Sequence, residues 1–237
     1  MQHAKGIRTA VAAAVLAAAP GGMAQAGSVL DLYYVGVSNL EYEDTPAGDF
    51  EWDEGDGYGV KGRFALSDSG FALSDSVFLT GEYQNVEYDE ISFDTGALIG
   101  GEIGVQQELE IWRAGLGYSF ADTPFYLQGE YVGLEAQLTS DGSEDDEESI
   151  GDDFDEDGWA AHVGAKGMVT EMLSVHAEIG YVDLGEAAGL EYLAGAGLHF
   201  SEHVGIFADY RMTTLEGDDE NYDVNLGDAR VGLRLLF

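Results

Sequence analysis

The chain has 237 residues, three prolines, 34 glycines and no cysteine, a length that suits one domain of ordinary size. Without cysteine it has no disulfide framework, no iron–sulfur ligand set and no thiol for a lipid anchor. A formal charge of −37, from 9 basic and 46 acidic residues, repels nucleic acid and sets that partner class aside.

Residues 1–26 read as a secretory signal peptide. Lys5 and Arg8 form its basic start, Thr9 to Pro20 its apolar stretch, and Ala24-Gln25-Ala26 a small-x-small cleavage site. The apolar stretch is too short to span a bilayer as a helix, and no other segment approaches ~20 apolar residues. Residues 27–237 then form the exported domain, with seven basic residues against 46 acidic ones.

After Gly27 the pattern is strand, loop, strand, turn, repeated. Ten strands are expected, near 29–42, 57–67, 76–89, 107–120, 124–138, 158–169, 172–184, 189–200, 203–215 and 222–237, with no run at helical period. Short connections follow the even strands at 121–123, 170–171 and 201–202, and a somewhat longer one spans 68–75. Long connections follow most odd strands, at 43–56, 90–106, 139–157 and 216–221, the exception being 185–188. Tight turns on one rim and long loops on the other suit a transmembrane barrel.

The faces of the strands point the same way. Tyr58, Val60, Gly62 and Phe64 share a face opposite Lys61 and Arg63. Trp112, Ala114, Leu116, Tyr118 and Phe120 lie opposite Arg113, and Trp159, Ala161, Val163 and Ala165 lie opposite His162 and Lys166. Tyr192, Ala194, Ala196 and Leu198 lie opposite Glu191 and His199, and Ile206, Ala208, Tyr210 and Met212 lie opposite Asp209 and Arg211. The last strand sets Ala229, Val231, Leu233, Leu235 and Phe237 against Asp228, Arg230, Gly232 and Arg234. Every base of the exported domain thus falls on the non-apolar face, while the excess acid sits in the loops. A soluble sandwich would scatter Lys and Arg over its outside. An inside-out barrel keeps charge off lipid and pairs it in the lumen, and aromatics at both ends of the even strands supply two interfacial belts. The fold class read from the sequence is therefore all-β: a closed antiparallel up-and-down transmembrane β-barrel of about ten strands, with eight as the alternative.

These features resemble the small outer-membrane β-barrel proteins of the OmpA-like, OmpX-like and opacity-protein-like kind. The carriers are the signal peptide, the alternating strands, Val163-Gly164-Ala165-Lys166-Gly167 and the terminal Arg234-Leu235-Leu236-Phe237. The resemblance implies a monomer in the outer membrane of a Gram-negative cell, reached through the periplasm. It also implies contact with lipid and lipopolysaccharide. Leu233, Leu235 and Phe237 would be the sorting signal read by the outer-membrane assembly machinery. The commonest members have eight strands.

Three constellations carry candidate chemistry. First, Glu82, Glu130, Glu178 and Asp209 are expected to meet Lys61, Arg63, Arg113, Lys166, Arg211, Arg230 and Arg234 in a nearly filled lumen, as a plug of paired charges or as a gate. Second, Asp153-x-Asp155-x-Asp157-Gly158 matches the first half of a calcium loop, with the carboxylates on one side of a tight turn. Gly164 stands where the bidentate Glu of that loop belongs, so an EF-hand is excluded and a weakly bound Ca or Mg ion is the remaining metal reading. No organic cofactor is implied. Third, His162 is placed inward near the outer rim, where ten-stranded surface proteases hold Asp and His. His199-x-Ser201 resembles the His-x-Ser of barrel deacylases but sits at the inner end of a strand. No nucleophile, base and orienting acid converge in the sequence. The expectation is a non-enzymatic surface protein that displays acidic loops. The alternatives are a narrow porin-like channel for small solutes or ions and, behind it, a rim hydrolase.

Overall fold

Apolar residues that recur at every second position, with glycine and aromatics between, favour a pleated sheet with one wet and one dry face. The computed structural model describes residues 28–43, 50–66, 76–94, 102–141, 148–149, 154–217 and 223–237. These form β1 (Val29–Glu43), β2 (Phe50–Ala65), β3 (Val77–Asp94), β4 (Glu102–Ser119), β5 (Phe125–Asp141), β6 (Glu148–Ser149), β7 (Phe154–Met168), β8 (Leu173–Asp183), β9 (Ala187–His199), β10 (Val204–Gly217) and β11 (Asp223–Leu236). Ten of the strands are long; β6 is a two-residue stub on β5. Each long strand pairs antiparallel with the next, and β1 pairs with β11 from Val29–Leu236 to Glu43–Asp223. Closure leaves the sheet without an edge that must be covered, as a membrane requires.

All ten expected strands are present, so the eight-stranded alternative is set aside. The tight connection near residue 185 is a true hairpin. The Leu184 amide donates to the Ala187 carbonyl at 2.9 Å, and the Asp183 side chain accepts from the Gly185 amide at 3.0 Å. Gly185 takes a φ of +88°, a conformation that side chains disfavour. Several strands run further toward the long-loop rim than periodicity indicates: β2 starts at Phe50, β3 reaches Asp94, β4 starts at Glu102 and β7 starts at Phe154. These ends are acid-rich and read as loop by propensity, but pairing with a preformed neighbour overrides that weak preference.

The outer surface carries the apolar face. Among its exposed residues are Leu32, Leu127, Val163, Ile179, Ile206 and Leu233. Tyr34, Tyr58, Tyr131, Trp159, Tyr181, Tyr192 and Tyr210 girdle it toward the long-loop rim, and Phe120, Phe125 and Phe200 toward the short-turn rim. Several upper tyrosines point their hydroxyls at carboxylates just beyond the girdle. Tyr34 donates to Asp56 at 2.9 Å, Tyr83 to Glu110 at 3.1 Å, and Tyr131 to Asp157. Each ring stays in lipid while its polar tip reaches the wet interface.

Val163 lies on the lipid face four positions along β7 from the girdle residue Trp159, and it is half exposed. Val163→Arg should lower the stability of the refolded barrel by about 2–4 kcal/mol, because the charge enters hydrocarbon. Urea unfolding in lipid vesicles measures it, with the interfacial Tyr192→Arg as the milder control.

Candidate functional site in the lumen

The inward residues of the ten strands meet in the middle of the barrel, where a lumen of this size is nearly filled by side chains. One centre is Glu82 on β3, which is 2% exposed. Its carboxylate accepts from Tyr33 Oη at 2.7 Å, from Arg230 Nη1 at 2.7 Å and from Arg211 Nη2 at 2.7 Å. Arg230 also donates through Nε to Asp209 at 2.6 Å, and His176 Nε2 stands 3.6 Å from the same carboxylate. Above Glu82, Gln84 Nε2 donates to Asp228 at 2.8 Å, and Ser38 donates to Asp228 at 2.6 Å. Ser38 reaches this level because β1 carries a bulge between Val35 and Val37. The bulge reverses the alternation, so Val35 and Ser38 both face in.

The other centre is Glu191 on β9, 3% exposed. Arg113 from β4 grips it with two parallel bonds of 2.9 and 2.6 Å, and Thr213 donates to it at 2.9 Å. His162 Nε2 lies 3.0 Å from its Oε1, and Arg211 Nε lies 3.7 Å away. Glu130 stands beside this group, 3.8 Å from Arg113 and 3.7 Å from His162. Arg211 therefore joins the two centres. Charge-assisted pairs with this fork geometry are the strong kind, and here they staple opposite walls together.

Toward the short-turn rim the network loosens. Arg234 on β11 forks onto Asp31 on β1 at 2.8 and 2.7 Å, across the seam that closes the barrel. Arg63 lies over the rings of Phe78 and Tyr126 at 3.4 and 4.4 Å and donates to Ser119 at 3.0 Å. Tyr126 donates to Glu178 at 2.6 Å. Lys61 is in register with Glu82 on one side and Asp31 on the other. Lys166 is in register with His176 at the end of β7.

Glycines on the inner face let this layer fit. A Cβ on Gly59 would fall 2.3 Å from the Tyr33 ring, and one on Gly180 would fall 2.0 Å from the His162 ring. Each large side chain lies flat over a neighbouring strand because nothing projects from it there.

Above the charged layer the lumen changes character. Leu40, Leu109, Ile111, Val132, Leu134, Val182, Leu215 and Leu226 line a cavity of about 620 Å³ on the long-loop side. Arg113 and Thr213 form part of its lining, with Thr213 and the Arg113 fork turned onto Glu191. Toward the outer rim lie Tyr42, Trp52, Gln107, Glu156 and Glu186. Burial, followed by the nearby acids Glu186, Asp157 and Asp155, raises the Glu156 carboxyl above its ordinary range.

The structure brings Glu82, Arg113, Glu130, Asp209, Arg211 and Arg230 into one layer. Lys61 stands in register with Glu82, and Arg63, Glu178, Lys166 and Arg234 form looser groups toward the short-turn rim. Sequence reasoning left Glu191 out of the network, together with Asp31, Tyr33, Gln84 and Asp228. Glu191 has a signal, since it faces away from Tyr192 and Leu190, but Glu108, Glu110 and Glu135 occur in strands too and face outward or to the rim. Distance across a lumen leaves no trace in local spacing. The metal expectation changes more. Asp155, Asp157 and Gly158 belong to β7, so they do not form a tight turn, and Asp157 takes the Tyr131 hydroxyl. Asp153 lies outside the described residues, and among the described residues no three His, Asp or Glu side chains are grouped to hold a metal. His162 is also lower than expected. It is 3% exposed and packed within the charged layer, not at the rim, because β7 continues above it to Phe154. His199 bonds Ser174 at 2.8 Å at the opposite end.

The family model described as "Outer membrane protein beta-barrel domain" matches residues 9–190. The chain belongs to this family. Its place is the outer membrane. No curated protein matches the sequence. Among solved structures, the translocator domain of the autotransporter NalP from Neisseria meningitidis is 16% identical, with a TM-score of 0.53, covering 100% of this chain and 95% of that one. The outer membrane protease OmpT from Escherichia coli is 10% identical, with a TM-score of 0.52, covering 89% of this chain and 96% of that one. Both likenesses are of fold.

Removing one partner of a buried pair leaves the other charge uncompensated. Glu191→Gln should cost about 3–5 kcal/mol in urea unfolding of the refolded barrel. Replacing both Glu191 and Arg113 by Leu should recover part of that loss, because no lone charge then remains at that contact.

Proposed function

We propose that the protein is a sealed, non-enzymatic outer-membrane barrel whose work is done at its outer surface. The observation that carries this reading is the pair of cross-lumen staples, Arg113 to Glu191 and Arg230 with Arg211 to Glu82, at 2.6–2.9 Å. Opposite walls are joined through groups that are almost completely buried, so an ion on this path has to break several charge-assisted bonds at once. His162 is held between Glu191 and Glu130 beside Arg113, and among the described residues no hydroxyl is hydrogen-bonded to it. That arrangement supports a structural histidine over a hydrolytic one.

The outer end supports a surface role. Asp56, Glu110 and Asp157 hold the girdle hydroxyls of Tyr34, Tyr83 and Tyr131 and face the lipopolysaccharide layer. Divalent cations between these acids and lipid phosphates are the contact this reading implies, with no organic cofactor. The closed sheet and apolar perimeter fit a monomer surrounded by lipid. Leu233 and Leu235 on β11, with Phe237 directly after it, are the segment that the assembly machinery would read.

Single-channel recording of the refolded chain tests the seal. The parent should show no discrete conductance steps, while Arg113→Ala and Arg230→Ala should introduce them. Steady steps in the parent would replace this reading by a narrow channel.

A further inference from the structure

The outer half of the lumen joins an apolar space to a mouth whose charge is all negative. The cavity of about 620 Å³ lies in the size range of small-molecule sites, and Leu109, Ile111, Leu134, Val182 and Leu215 form much of its wall. Its charged lining residues are Arg113 at the floor and Glu156 and Glu186 at the outer end. Arg113 is already forked onto Glu191. Its Nε, like Gln107 Oε1 and Trp52 Nε1, has no partner but is covered by protein, so these three atoms offer no contact to a ligand in the space. The charge that a ligand meets is that of the mouth.

Glu156 faces inward, on the side of β7 that holds Ala160 and His162. Its Oε2 lies 3.7 Å from the position of a Cβ built on Gly185, at the tip of the β8–β9 hairpin next to Glu186. Glu186, Asp157 and Asp155 are the charged groups that act on it, and all are acids. The chain supplies no base elsewhere at this end. Residues 35–60, 84–112, 132–161, 180–190 and 212–229 include every connection on the long-loop side, and none of them is Lys, Arg or His. The seven bases of the exported domain stand in the charged layer or on its short-turn side. The mouth carboxylates therefore take their counter-charge from outside the protein. A metal ion would neutralise them and leave the apolar wall wet. A neutral amphiphile would cover the wall and leave the two carboxylates repelling each other. We propose that the cavity binds a monovalent organic cation with an apolar body, its ammonium at Glu156 and Glu186 and its hydrocarbon over the leucine wall. Such a ligand buries apolar surface and gains both ion pairs, while the Arg113 charge keeps the ammonium away from the floor.

The test uses the refolded chain in nanodiscs of zwitterionic lipid at pH 8, where a primary amine is charged and carboxylates are ionised. Octylammonium, 1-octanol and octanoate are titrated by calorimetry, with empty nanodiscs subtracted. Octylammonium should saturate and bind about tenfold tighter than 1-octanol, the yield of two partly exposed ion pairs, with octanoate weakest. Glu156→Gln with Glu186→Gln should bring octylammonium down to the level of 1-octanol and leave 1-octanol unchanged. Leu134→Phe with Val182→Phe should fill the space and abolish saturable binding, with heat-modifiable gel migration checking that each variant is folded. Equal affinity of the parent for octylammonium and 1-octanol, or a preference for octylammonium that survives the double Gln variant, would overturn the ligand class. Octylammonium binding that survives the filling pair would assign the carboxylates to surface binding of cations and overturn the site, as would a parent that never saturates.

Discussion

Two carboxylates held away from water in the middle of the lumen, those of Glu82 and Glu191, constrain the rest of the structure. A buried ion loses several kcal/mol of hydration, and good geometry with several donors must offset this. Glu82 receives two guanidinium groups and a phenol; Glu191 receives a bidentate guanidinium, a threonine hydroxyl and a histidine. Seven strands are committed by these contacts alone, since the two carboxylates stand on β3 and β9 and their partners come from β1, β4, β7, β10 and β11. Arg211 is shared between both centres, which makes the layer one unit.

The strands must then come close enough for these bonds to form. Inward glycines at Gly59 and Gly180 allow Tyr33 and His162 to lie flat on neighbouring walls, and the bulge in β1 turns Ser38 toward Asp228. The Asp31–Arg234 fork performs the same service at the seam between the first and last strands. On the outer surface the requirement reverses. Lipid solvates no charge, so every base of the barrel strands is turned inward and the aromatic rings collect at the interfaces.

The division of the lumen into a charged floor and an apolar cup follows from the same layer. Arg113 and Thr213 line both regions: their polar ends complete the Glu191 site, and their remaining surface is part of the cavity. The Arg113 fork and the Thr213 hydroxyl turn onto Glu191. The residues above it on β4, β5, β8 and β10 are leucine, valine, isoleucine and alanine, with the carboxylate–guanidinium pairs gathered below them.

Much of this was written in the local pattern. Alternation set the faces of the strands, the order of short and long connections set the two rims, and the confinement of Lys61, Arg63, Arg113, Lys166, Arg211, Arg230 and Arg234 to one face located the lumen. These properties depend on neighbours two residues apart, so a sequence displays them directly. The expected tight turn is absent at Asp155 and Asp157 because their spacing is also that of one strand face, and β7 runs through both residues. His162 was placed too high for the same reason. What only the tertiary structure decided is which groups meet across the lumen: Arg113 with Glu191 rather than with its nearer neighbours, Arg230 with Glu82, and an apolar cup above them. Those partners are 78 and 148 residues apart, and their meeting depends on strand number, tilt and closure, which act through the whole sheet at once.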